Sequence, residues 1–195
     1  VWDIAHESEQ LQWRVKSLTE QLQRKEPTSN DAYPLEKMVS LPSSVADALQ
    51  LATEAFPKKI IALPEAVRSA QAHASGSANE TWQILLGLAT VLHPLCFSDN
   101  PEKDGSITDT YKRMTGYDLS LRESKATNDV PAYVRARRRT YEGRIIDITP
   151  HVKGRSGKRG ETLRVHFAID EKTERIVIGH CGAHLDTAGT KRKGF

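Results

Sequence analysis

The chain has 195 residues, enough for one moderate domain or a domain with an appendage, and its formal net charge is +3. That sum hides a split: residues 1–129 hold 13 Lys and Arg against 18 Asp and Glu, net −5, while residues 130–195 hold 15 against 7, net +8. Two cysteines and the absence of any long apolar run argue against a disulfide framework, a signal peptide and a membrane span, so a reducing, cytoplasmic setting is expected.

Residues 1–26 read as a coiled-coil-like helix. Ile4, Leu11, Val15, Leu18 and Leu22 keep alternating spacings of four and three, with Ser8 interrupting one seam position. Such a stripe suits a partner helix or a homo-oligomer, and equally a helix packed on the rest of the chain. The chain opens at Val1 already inside the pattern, as a piece of a longer protein would. A linker over residues 27–41 follows, rich in Pro, Ser, Asn and Asp.

Residues 42–139 are expected to be mainly helical. Ser43 and Ser44 can cap a helix over residues 46–55, which Pro57 stops. Residues 59–63 read as a short strand, and Pro64 opens a helix over residues 65–74. After the break at Gly76 and Ser77, a helix starting at Asn79 or Thr81 carries Trp82, Leu85, Leu86, Leu88, Ala89 and Leu92, and its broad apolar surface marks it as central to the core. A shorter helix over residues 107–114 ends at Gly116.

Residues 140–195 change to β texture, as a basic domain packed on the helices. A strand over residues 143–149 is closed by Pro150. Residues 151–160 read as a mobile basic loop with three glycines. Strands over residues 163–169 and 175–181 then form a hairpin across a polar turn. The expected class is α+β: a mainly helical N-terminal and middle part, followed by a small antiparallel sheet, a three-stranded meander, at the C-terminus.

Alternation along the hairpin puts Leu163, Val165, Phe167 and Ile169 on one face and Arg164, His166, Ala168 and Asp170 on the other. Matching the apolar sides sets Ile169 near Ile176 and Phe167 near Ile178, which places His166 opposite Gly179 and leaves His180 on the apolar row. His184 lies beyond Gly182 in the exit turn. Arg137, Arg138 and Arg139 in the arm, with His151, Arg155, Lys158 and Arg159 in the loop, are the candidate nucleic-acid contacts. Cys181 and His184 have a zinc-like gap, but His180 and Cys181 should point apart and no second ligand pair occurs, so no metal or other cofactor is assigned. No Walker loop, dinucleotide fingerprint or nucleophile elbow is present.

The run Leu163-Arg164-Val165-His166-Phe167-Ala168-Ile169-Asp170, followed by a turn, Ile176-Val177-Ile178 and a histidine-rich stop, resembles the end of RelE/ParE-like toxins. The resemblance covers residues 140–188. It implies metal-free cleavage of messenger RNA on the ribosome for RelE-like members, with Arg164 matching the strand arginine at the scissile phosphate and His184 near the C-terminal catalytic position. The longer helical part, the larger basic loop and the histidines depart from that family. The leading expectation is a metal-independent endoribonuclease, an effector domain of a toxin or defence protein. His166 or His184 would be base or acid, and Arg164 and Lys153 would stabilise the phosphorane. The alternatives are a non-catalytic nucleic-acid or ribosome-binding module, or an oligomerisation and adaptor domain acting through residues 1–26.

Overall fold

The computed structural model describes residues 41–98, 105–155 and 162–187. The coiled-coil reading of residues 1–26, nearly all of the linker, and the candidate contacts Lys158 and Arg159 lie outside the described residues. Residues 40–195 form one compact unit.

Its elements follow the sequence signals closely in the first half. Helix α1, Val45–Ala55, starts where the Ser44 side chain accepts the Asp47 backbone N–H, as the capping reading requires. Strand β1 is Ile60–Ala62, and α2, Pro64–Ala72, takes its proline in the first turn. Helix α3, Ala78–Gly87, is capped by Ser77 and runs through a π-helical turn, Leu88–Leu92, into α4, His93–Phe97. Pro94 explains the widened turn: it has no N–H to give and its ring crowds the preceding carbonyls, so the His93 N–H reaches back to the Leu88 carbonyl instead. Helix α5, Ile107–Thr115, ends at Gly116, whose φ of 74° is left-handed.

Strand β2, Asp118–Ser120, and the short helices α6, Lys125–Asn128, and α7, Pro131–Arg135, lead into β3, Arg138–Tyr141, and β4, Arg144–Asp147. Strands β5, His151–Lys153, β6, Arg164–Asp170, and β7, Arg175–Gly182, complete the order.

The α+β class stands, but the expected three-stranded meander does not. The main sheet has five strands in the order β1-β7-β6-β5-β2, with β1 parallel to β7 and the other pairs antiparallel, and β3 and β4 form a separate two-stranded sheet. Two causes account for the difference. The start of the basic loop is strand β5, because Val152 fills the core position opposite Val165 while pairing on its other edge with Leu119. The isolated strand of the helical half, β1, is recruited as the far edge of the same sheet.

One face of the sheet carries the main core. Leu119, Val152, Val165, Phe167, Ile176, Ile178 and Cys181 pack there against Leu49, Ile84, Leu85, Leu88, Leu92 and Tyr111 of the helices. A smaller cluster of Leu63, Tyr141, Ile146, Ile148, Ala168 and Val177 lies on the opposite side, under the β3–β4 hairpin. Between these layers Cys181 is fully buried, and its N–H is held by the Ser69 hydroxyl at 2.9 Å.

Candidate functional site: a histidine row on the polar face

The hairpin register agrees with the apolar matching up to Ile178 and then departs from it. Ile169 faces Ile176 and Phe167 faces Ile178, but His166 faces His180 rather than Gly179. A β-bulge absorbs the extra residue, with Gly179 and His180 both opposing His166. The bulge resets the alternation, so His180 leaves the apolar row and joins the face that carries His166, while Cys181 faces the helices. Only glycine fits at the bulge: a Cβ on Gly179 would lie 2.6 Å from Ile148 Cγ2.

His151 on β5 is the register partner of His166. Three imidazoles therefore cross three strands in a row, with ring centroids 4.6 Å apart between His151 and His166 and 5.7 Å apart between His166 and His180. Each donates a ring N–H to a carbonyl: His151 Nδ1 to Thr149 at 3.0 Å, His166 Nδ1 to Ile148 at 3.1 Å, and His180 Nε2 to Ala183 at 2.7 Å. A carbonyl only accepts, so these bonds fix the tautomers and leave Nε2 of His151 and His166, and Nδ1 of His180, as the basic nitrogens of the neutral rings.

Burial holds all three rings below the usual imidazole range against the opposing pull of their carbonyl bonds, and His166 lies well below it because the His151 and His180 rings and Arg137 add to its burial. His166 is 1% exposed and His151 6%, while His180 is half-buried.

The arm does not present its arginines as one surface. Arg137 is buried, ion-paired to Glu123 at 2.8 Å, and donates to the carbonyls of Tyr133 at 3.0 Å and Asp186 at 3.2 Å. Arg139 donates to Gly179 and Ala136 carbonyls and is half-buried, whereas Arg138 is exposed. Arg137 thus serves as an internal cation over the histidine row and not as an exposed contact.

Lys153 and Arg164 are register partners at the β5–β6 end of the sheet. Arg164 is half-buried, and burial pulls its guanidinium below the ordinary value. Its Nε is buried without a hydrogen-bond partner, and it enters no ion pair among the described residues. Arg155 is exposed, with its guanidinium 4.7 Å from the Tyr117 ring centroid and its backbone N–H held by the Glu80 carboxylate at 2.6 Å.

His184 stands apart, with its Nδ1 donating to the Leu185 carbonyl next to it. The structure therefore brings His166 together with His151 and His180, not with His184. Glu123 is the functional-looking group that sequence reasoning passed over, since nothing local distinguishes it from other surface glutamates. Beside it a cleft of about 580 Å³ opens between Leu121–Glu123, Asp147, Pro150 and Asp170. Among the described residues no three His, Cys, Asp or Glu side chains are grouped to hold a metal ion, and no helix is long and apolar enough to cross a membrane.

No protein-family model matches the chain, and comparisons with curated proteins and with solved structures found no similar one.

Proposed function

We propose that the unit is directed at a nucleic acid, RNA foremost, and meets the phosphate backbone at the β5–β6 end of the polar face. Arg164 carries this reading. A guanidinium kept partly out of water, and entering no ion pair with a carboxylate among the described residues, gains more from a phosphate oxygen than an exposed arginine does. Lys153 beside it adds a second cation, and exposed Arg155 follows two residues on, both within electrostatic reach of Asp118.

A second reading is metal-independent RNA cleavage, to which the RelE/ParE-like resemblance of residues 140–188 also leads. It is favoured by the neutral imidazoles, the form a general base requires, in a row beside Arg164. His180 is the ring of the three nearest to solvent and is the candidate base; His166 would act behind it.

End-labelled RNA incubated with the full chain in EDTA separates the two. Binding is expected to weaken steeply with salt, and Lys153→Ala with Arg164→Ala to lower the salt slope by about two, one per phosphate contact. A slope unchanged by the double variant rules out this surface. Cleavage in EDTA that disappears in His180→Ala establishes the second reading, and intact RNA leaves binding alone.

A further inference from the structure

We propose that the cleft at the open edge of β6 is a nucleobase pocket, in which the Ile169 backbone and the Asp147 carboxylate read the edge of a base splayed out of an RNA strand. The cleft, of about 580 Å³, lies among Leu121, Arg122, Asp147, Pro150 and Ala168. Ile169 also lines it, although its side chain packs with the main core, on the face opposite Ala168. What Ile169 turns toward the cleft is therefore its backbone edge.

Strand parity gives the same result. In an antiparallel ladder the N–H and C=O of one residue point to the same edge, and successive residues alternate. The Phe167 N–H leaves β6 on the side away from β7, to the Pro150 carbonyl at 2.9 Å. On β7, the N–H of Ile176, the register partner of Ile169, goes to the Lys59 carbonyl beside β1 at 2.9 Å. Ile169 thus shares the outer edge with Phe167. Strand β5 begins only at His151, so no strand covers that edge beyond Pro150. Among the described residues neither the Ile169 N–H nor its carbonyl is bonded on that side.

One donor beside one acceptor decides the ligand class. A peptide added as a strand needs a row of such pairs. Here the Phe167 N–H is already taken on one side, and β6 ends at Asp170 on the other. A base presents a donor next to an acceptor on its pairing edge, and Leu121, Ile146 and Pro150 offer its faces apolar contact. Glu123 and Asp170 are paired with Arg137 and Arg144. Asp147 is exposed, and the bond its side chain makes is from the Thr149 N–H to Oδ1 at 2.7 Å. A carboxylate only accepts, so it favours adenine, cytosine or guanine, which carry an amino group, over uracil. Exposed Arg122 supplies a cation for the phosphate of the same nucleotide. The pocket rests on the reading of this unit as RNA-directed, yet shares no residue with the Lys153–Arg164 surface.

Nucleosides carry no phosphate and therefore report on the pocket alone. Adenosine, cytidine and uridine are titrated to about 10 mM into the full, ¹⁵N-labelled chain, and the amide spectrum is followed by nuclear magnetic resonance. Adenosine and cytidine are expected to shift the Ile169 amide saturably, with uridine about fivefold weaker, the loss of one hydrogen bond to a carboxylate. Asp147→Asn, a surface change that keeps an acceptor for Thr149, should narrow that preference. No saturable shift with any nucleoside, uridine as tight as cytidine, or a preference unchanged in Asp147→Asn overturns the pocket. So does a capped tetra-alanine peptide that moves the Ile169 amide where nucleosides do not, which would make the cleft a peptide site. The salt slope of RNA binding tests Lys153 and Arg164 separately, so either surface can fail without the other.

Discussion

Arg137 exchanges its hydration shell for Glu123 and two carbonyls at only 2% exposure. Truncating it leaves Glu123, itself 11% exposed, without its counter-charge. Arg137→Met should cost about 3–5 kcal/mol, seen as a lower urea midpoint at unchanged slope. Replacing both partners should recover part of that loss, because no lone buried charge remains. At Gly179 the obstacle is steric, and Gly179→Ala should cost about 1–3 kcal/mol by forcing Ile148 aside. The sequence marks both residues, Arg137 as a surface contact and Gly179 as the partner of His166, but for neither does it reveal the role the fold assigns. Arg137 sits in a run of arginines that a charge count treats alike, and which of them Glu123 claims is decided by tertiary placement.

At the scale of elements, what was legible had a local cause. Ser44 and Gly116 act through bonds within one turn of their own helices, and the alternation of β6 needs only its own residues. The misses had non-local causes. Strand β5 reads as loop because three residues among lysines and glycines show no period; its partners on both edges give it order. The bulge defeats the parity argument, since one inserted residue inverts every face that follows. The β3–β4 turn offers a test of local strain: Glu142 and Gly143 have φ of 47° and 71°, both left-handed. Glu142→Asn should recover up to about 1 kcal/mol of that penalty, read as a raised melting temperature.

For the molecule as a whole, the sheet joins distant parts of the chain. Strand β1 from the helical half edges β7 from the basic half, and the helices cover the face that β5, β6 and β7 present to them. The charge division near residue 130 is therefore not a division of the fold. Residues 140–195 expressed alone should lack a cooperative thermal transition by circular dichroism, because that piece loses β1, β2 and the helical half of its core. A sheet observed in that fragment would show that the basic half folds without its neighbours.

The burial of Cys181 turns the molecule into its own clock. Its thiol is pushed up to about 12 by complete desolvation, so the thiolate that reacts with alkylating agents is scarce while β7 is in place. Labelling of Cys181 should then proceed at the rate at which β7 parts from the helices, with the less buried Cys96 as the faster internal standard. Mass spectrometry of the two thiols over time would count excursions of the sheet that a structure averages away.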